Sequence, residues 1–248
     1  MVANRKIIEK NKFASCMPMI SKNEIVLYKE TEKNESQYDF IEWRRDYFRP
    51  GEILTAEEEI TVFKKFKKAS LNSGIIYTFR SHCEGGAFEI KDSVRLKAIE
   101  AAASLADYVD VELKSDADFL KSVKEILKNT DCGLILSHHN FIKTPDGKEI
   151  KEIFDAMENQ NADILKLAVM PSSEADVRQL ISATLIKNQS IAKPIIAIAM
   201  GTLGVITRIA PDLCGGSLTY VAGSGTTAPG QITLEEMLLY RKFLGLIV

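Results

Sequence analysis

The run Ile164-Leu165-Lys166-Leu167-Ala168-Val169-Met170 passes through Pro171 and Ser172 into Ser173-Glu174-Ala175-Asp176-Val177. Its first seven residues are apolar on both faces except for one lysine, as in a strand covered on each side. Ser173 with Asp176 three positions on fits a capping box, and Val177, Leu180, Ile181 and Thr184 recur at the spacing of one helical face. A second apolar run, Lys193–Met200, follows. Strand, helix and strand in that order make a βαβ unit with two parallel strands.

The same alternation extends in both directions from this unit, beginning at Phe13. Strands are predicted over Phe13–Ile20, Tyr38–Arg45, Gly74–Ser81, Tyr108–Leu113, Gly133–His139, Ile164–Met170, Lys193–Met200 and Leu218–Gly223. Thr55 with Glu58 and Thr233 with Glu236 mark two further helix starts, while Phe119, Val123, Ile126 and Leu127 share another helical face. No Gly-rich or Pro-rich linker divides the chain. Eight βα units in 248 residues predict an α/β fold, a (β/α)₈ TIM barrel, as a single domain over residues 1–248. Residues 1–12 are read as a short peripheral N-terminal extension.

Composition narrows the function classes. The chain is 46% hydrophobic and 27% charged, as an ordinary globular domain is. A net charge of -2 supplies no overall basic field for nucleic acid, so nucleic acid is not an expected partner. Apolar runs are far shorter than the ~20 residues that span a bilayer, and no secretory apolar core follows the first residues, so a cytoplasmic protein with no membrane partner is expected. Cys16, Cys83, Cys132 and Cys214 form no CxxC pair, which predicts reduced and mostly buried thiols rather than a disulfide framework or zinc cluster.

Lys166 is the most informative residue, because a charge interrupts a strand that otherwise reads as buried. Alternation turns its side chain away from those of Leu165 and Leu167, into the barrel. A desolvated amine in such a place has a larger neutral fraction and can attack a ketone. The competing reading is a structural lysine paired with an interior carboxylate. Barrel active sites are built at the C-terminal ends of strands. Glu42 and Arg44 share one face at the end of the second strand, Arg80 ends the third, and Glu84 follows in the loop Arg80-Ser81-His82-Cys83-Glu84-Gly85-Gly86. Each could instead be a solvated loop charge.

His138 and His139 close the fifth strand and point to opposite faces, so one of them enters the barrel. Local pattern does not choose between them. An imidazole there could take a proton from carbon and later deliver it to a leaving hydroxyl. Adjacent histidines on opposite faces are poorly placed to chelate one metal ion, and no metal is expected. Two glycine-containing segments, Met200-Gly201-Thr202-Leu203-Gly204 and Gly223-Ser224-Gly225-Thr226-Thr227-Ala228-Pro229-Gly230-Gln231, could hold an anion or simply turn tightly. Arg208 could grip a carboxylate in two parallel hydrogen bonds, and Gln231 and Thr227 could serve hydroxyl groups.

Taken together, these segments resemble the type I 3-dehydroquinate dehydratases, the Schiff-base enzymes of the shikimate pathway. The resemblance covers nearly the whole chain after residue 12. It is carried by Glu42-Trp43-Arg44, Thr78-Phe79-Arg80-Ser81 with Glu84-Gly85-Gly86, Ser137-His138-His139-Asn140-Phe141, Lys166, Met200-Gly201-Thr202-Leu203-Gly204 through Arg208, and Ala228-Pro229-Gly230-Gln231. The resemblance selects His139 as the base, since the family's base precedes an acidic or amide residue and Phe. It implies that Lys166 forms an iminium with the ketone of 3-dehydroquinate, that His139 moves the protons of a syn elimination of water, and that Glu84 orients His139. The product is 3-dehydroshikimate, the third step of the route to chorismate and aromatic amino acids. Arg208 is implied to bind the carboxylate, and Glu42, Arg44, Arg80, Thr227 and Gln231 to hold hydroxyls and shape the pocket. A homodimer, a lid near Gly223–Gln231 and no cofactor are implied as well, the imine serving as the electron sink.

Thr227 stands where many relatives have Ser, which keeps the hydroxyl and adds a methyl group. Pro18-Met19-Ile20-Ser21-Lys22 departs from the family's first strand, so no site residue is assigned there. Two other functions use the same features: a Schiff-base aldolase acting on a phosphorylated sugar, and a barrel that binds a metabolite without turnover. Arg208 and Gln231 argue against the aldolase, and imine formation at Lys166 would separate the binding module.

Overall fold

The computed structural model describes residues 5–34, 37–49, 52–70, 72–223 and 225–246. Residues 1–4 of the N-terminal extension and Ser224 of the last loop therefore lie outside the described residues. The elements alternate in chain order: β1 (Ala14–Met19), α1 (Glu24–Asn34), β2 (Phe40–Arg44), α2 (Ala56–Ala69), β3 (Gly74–Thr78), α3 (Asp92–Ala103), β4 (Tyr108–Glu112) and α4 (Ala117–Leu127). Then follow β5 (Gly133–Asn140), α5 (Gly147–Asn159), β6 (Ile164–Val169), α6 (Glu174–Ser190), β7 (Ile195–Ala199), α7 (Ile206–Ile209), β8 (Leu218–Tyr220) and α8 (Leu234–Phe243). The strands are parallel and hydrogen-bond in the order β7-β6-β5-β4-β3-β2-β1-β8, the topology of a (β/α)₈ barrel. At the seam, Ser217 N donates to Ile195 O at 2.8 Å while Ala14 N donates to Ser217 O at 3.0 Å.

By contact density the chain forms two compact units, Met1–Ile7 with Pro18–Ile135 and Ile8–Met17 with Leu136–Val248. In the first, α2 lays Val62, Phe63 and Phe66 against the sheet. Trp43 is the centre of that packing, with ring centroids 5.2 Å from Phe63, 5.5 Å from Phe66 and 5.6 Å from Tyr77. Strand alternation then sends its neighbours Glu42 and Arg44 to the opposite face, which accounts physically for one apolar and two charged residues in a single buried strand. In the second unit, α6 buries Val177, Leu180 and Thr184 as the helical spacing predicts.

All three expected capping boxes are present, at Thr55, Ser173 and Thr233. Seven of the eight strands end earlier than predicted at their C-terminal side, and β5 runs one residue further, to Asn140. Phe79 and Met200 lie past the ends of β3 and β7 yet are fully buried, so apolarity there reports burial and not ladder pairing. Arg80 likewise sits two residues beyond β3, held by ion pairs where the sequence suggested a strand end.

The N-terminal extension is less peripheral than predicted. Ile8 is 1% exposed. In the first unit Lys6 N donates to Asp107 Oδ1 at 2.7 Å; in the second, Lys10 Nζ donates to the carbonyls of Asn188 and Ile191 at 2.8 and 2.7 Å. The Lys10 ammonium thereby satisfies two carbonyls at the C-terminal end of α6. Cys16, Cys132 and Cys214 are buried free thiols and Cys83 is an exposed one, in line with the sequence reading. Among the described residues no helix is long and apolar enough to cross a membrane.

Candidate active site

In the first unit, β2, β3 and β4 pair in a register that sets Glu42 opposite Ile76, Arg44 opposite Thr78, and Thr78 opposite Asp110. Residues paired across parallel strands point to the same face, so Arg44, Thr78 and Asp110 form one row. The buried groups satisfy one another. Thr78 Oγ1 donates to Glu42 Oε1 at 2.7 Å, and Arg80 reaches Asp110 Oδ1 at 2.9 Å and Glu112 Oε1 at 3.0 Å. Burial works against the Arg80 charge, but the carboxylates of Asp110, Glu112, Glu42 and Glu84 outweigh it and hold the guanidinium pKa above its ordinary value. Burial likewise opposes the charge on Glu112, yet Arg80, Arg95 and the Ser81 N–H keep its carboxyl below the usual range.

Arg44 does not stand free for a ligand hydroxyl. Its Nε and Nη2 donate in parallel to Asp46 Oδ1 and Oδ2 at 2.9 and 2.7 Å, and Nη2 also reaches Gly85 O at 3.3 Å. Asp46 Oδ2 accepts in addition from Ala87 N at 3.1 Å. Arg44 and Asp46 thus clamp the turn that carries Glu84, which is itself buried in a single 3-10 turn from His82 to Glu84. Gly86 is required where that turn folds back, since a Cβ there would lie 2.3 Å from Arg80 O.

In the second unit, Lys166 is 4% exposed and pairs in register with Ile196 of β7. Its Nζ donates to the hydroxyl of Tyr220 at 3.0 Å and lies 4.3 Å from the centre of that ring. Tyr220 ends β8, so this side-chain contact joins β6 to β8. Tyr220 also holds Arg208. Arg208 Nη1 donates to Tyr220 O at 3.3 Å and Nη2 to Pro229 O at 3.0 Å, while Nε has no hydrogen-bond partner. Arg208 is 1% exposed, and burial alone lowers its pKa to about 10, so it remains a cation at neutral pH with carbonyl dipoles for company.

The loop after β8 closes on itself. Gln231 Oε1 accepts from Thr227 N at 2.6 Å and Ala228 N at 3.3 Å, and its Nε2 donates to Thr227 Oγ1 at 3.0 Å. The carbonyl of Pro229 accepts from Gly201 N at 3.1 Å as well as from Arg208. This approach requires glycine at 230, with φ at +78° and a Cβ position 2.4 Å from Gly201 O. The glycines there serve close packing, α7 is a helix of only four residues, and the buried side-chain cation of this region is the Arg208 guanidinium.

His138 is buried, while His139 is half-buried near the end of β5 and stacks on Phe141 at 6.2 Å with 15° between the rings. Asn140 Oδ1 then accepts from Ile142 N and Lys143 N, both at 3.0 Å, and turns the chain out of the strand. The first unit therefore gathers Glu42, Arg44, Arg80 and Glu84, and the second gathers Lys166 with Arg208, and Thr227 with Gln231. Sequence reading missed Asp46, Asp110, Glu112 and Tyr220. Asp110 and Glu112 carried a usable signal, two acids at strand period inside Tyr108–Glu112.

Comparison with known proteins converges on one family. The type I 3-dehydroquinase family profile matches residues 15–247. Curated relatives named 3-dehydroquinate dehydratase include one from Listeria welshimeri, 34% identical over 92% of this chain and 93% of that protein. Another, from Clostridium kluyveri, is 35% identical over 89% of this chain and 88% of that protein. The crystal structure of a type I 3-dehydroquinate dehydratase from Clostridium difficile superposes with a TM-score of 0.89 at 31% identity, covering 96% of this chain and 94% of that one. The chain belongs to the type I 3-dehydroquinase family, whose members are hydro-lyases.

Proposed function

We propose that this enzyme eliminates water from 3-dehydroquinate through a Schiff base on Lys166, as a single (β/α)₈ catalytic domain over residues 1–248. What supports the reading most directly is that Tyr220 links a buried lysine in an apolar strand to a buried arginine whose Nε has no partner among the described residues. A small keto acid offers a group suited to each, a carbonyl carbon for the amine and a carboxylate for the guanidinium. A Clostridium difficile relative was crystallised with covalently modified comenic acid, which is consistent with covalent chemistry in this enzyme.

The Lys166 amine adds to the ketone carbon, and the former carbonyl oxygen takes up protons and leaves as water. The iminium left behind draws electrons from the neighbouring carbon, whose proton passes to His139. The resulting enamine expels the hydroxyl on the next carbon in a syn elimination, with His139 returning the proton so that water departs. A second water hydrolyses the iminium, restoring the amine and releasing 3-dehydroshikimate. In this reading Glu84 supports His139 as the base, Arg208 holds the carboxylate, and Glu42, Arg44, Arg80, Thr227 and Gln231 position the ring hydroxyls. Locking the ring reduces the entropic part of the barrier. No cofactor enters, and the reaction is the third step of the shikimate route, carried out by a cytoplasmic homodimer. The dimer, the compartment and the pathway step rest on the family alone.

The test is intact mass after incubation with 3-dehydroquinate and borohydride. A ligand-sized adduct on the wild type and none on Lys166→Ala establishes the imine and its position. No adduct on folded wild type sinks the Schiff-base mechanism.

A further inference from the structure

Tyr220 belongs to none of the roles above, yet it makes a direct contact with the reactive amine. It is 5% exposed, and its backbone oxygen is held by Arg208, so its position is fixed from both ends. Lys166 Nζ lies 3.0 Å from the phenol oxygen and 4.3 Å from the ring centre, within reach of both the lone pairs and the negative face of the ring.

We infer that Tyr220 is a catalytic residue of this enzyme, which holds positive charge on the Lys166 nitrogen when that nitrogen becomes an iminium. The inference rests on the Schiff-base reading. When the imine forms, the same Nζ atom stays at the end of the same side chain. It changes from an amine to a C=N nitrogen that keeps one hydrogen and carries the charge. Its remaining N–H is the donor to the phenol oxygen, and the ring face stabilises the cation in a water-poor interior. The charged imine is the electron sink for removing the neighbouring proton, and a neutral imine is a far weaker one. Stabilising that charge accelerates elimination without changing how the substrate carboxylate is held.

The inference separates into ring and hydroxyl. Tyr220→Phe keeps the ring and removes the acceptor, and Tyr220→Leu removes both. Thermal unfolding first establishes that each variant folds. Each is then assayed for kcat and KM with 3-dehydroquinate, and for the rate at which cyanoborohydride, which reduces charged imines preferentially, fixes the adduct seen by intact mass. Tyr220→Phe is expected to lose about tenfold in kcat and in trapping rate with KM within about twofold, and Tyr220→Leu to lose more. Folded variants that trap at the wild-type rate overturn the inference, as does a rise in KM alone, which would make Tyr220 a binding contact. An absence of adduct in the wild type overturns the Schiff-base reading itself, a different result from a normal wild type with unchanged variants.

Discussion

Arg208 donates from Nη2 to the carbonyl of Pro229 at 3.0 Å, so the guanidinium that lies buried beside β8 also pins the loop that follows it. The lowered pKa of that cation has burial as its cause. The lowering to about 10 corresponds to about 3 kcal/mol against the charged form in the folded state. Two carbonyl hydrogen bonds return about 1 kcal/mol each. Arg208→Met, an apolar side chain of similar length, is therefore expected to leave stability unchanged or to raise it by about 1 kcal/mol, while KM rises by at least about tenfold. A structural arginine would do the opposite, and a clear loss of stability in urea unfolding would refute the assignment.

The same cation has a pH signature. The folded protein binds this proton more weakly than the unfolded chain, so at neutral pH the group subtracts stability, and the subtraction is relieved as pH rises above about 10. Carboxylate binding moves the other way, since the guanidinium that attracts it discharges over that range. Affinity for 3-dehydroquinate measured on Lys166→Ala, which cannot turn it over, is expected to fall through pH about 10, and to show no such step in the Arg208→Met, Lys166→Ala double variant.

Asp46 offers a second test, because it joins Arg44 to Ala87 and so fixes the turn bearing Glu84. Asp46→Asn keeps the size but can no longer accept from both nitrogens of Arg44 and from Ala87 together. Breaking a buried charged pair costs ~3–5 kcal/mol, which lowers the unfolding midpoint. If Glu84 acts through the proton transfers, kcat drops by more than about tenfold in the folded variant while the borohydride adduct still forms. Equal losses of adduct and of turnover would show that the clamp serves substrate entry instead.

Glu112 ties Arg80 to Arg95 and accepts the Ser81 N–H at 2.9 Å. Its folded pKa lies below its unfolded value, so the stability it contributes is present above pH ~4.5 and is lost as pH falls through the lower folded value. Glu112→Gln is expected to cost ~3–5 kcal/mol at pH 7 and to flatten the acid limb of a stability–pH curve. An acid limb that keeps its wild-type slope would place the titration elsewhere.

How much of this was legible beforehand follows from what each residue depends on. Lys166 could be read because a charge in an apolar strand is a local contradiction, and the capping boxes because both partners lie within four residues. Trp43 between Glu42 and Arg44 was visible as alternation. Asp46 was not, since its role depends on Ala87, 41 residues away, and on a turn whose shape no local pattern encodes. Tyr220 drew no reading of its own, because contact with Lys166 across 54 positions leaves no trace in either neighbourhood. Arg44 was legible as a charge at a strand end but not in its bond to Asp46, and the mutual bonding of Thr227 and Gln231 reads the same as two free hydroxyl-binding side chains.

The two histidines give the sharpest remaining separation. Ile135, Ser137 and His139 alternate with Leu136, His138 and Asn140 along β5, so His138 and His139 face opposite sides and one substitution cannot mimic the other. His138 is buried, and His139 is half-buried against Phe141. If His139 moves the protons, His139→Ala lowers kcat by ~10²–10⁴ while the iminium still forms and accumulates, since amine attack precedes the step that needs the base. Intact mass after borohydride then shows adduct at or above the wild-type level. His138→Ala instead leaves a buried void and an unfilled hydrogen-bonding position, and its main effect is a stability loss of ~1–3 kcal/mol with turnover reduced far less. A kcat collapse in His138→Ala with full activity in His139→Ala would reverse the assignment, and would mean that β5 presents the opposite face to the reacting carbon.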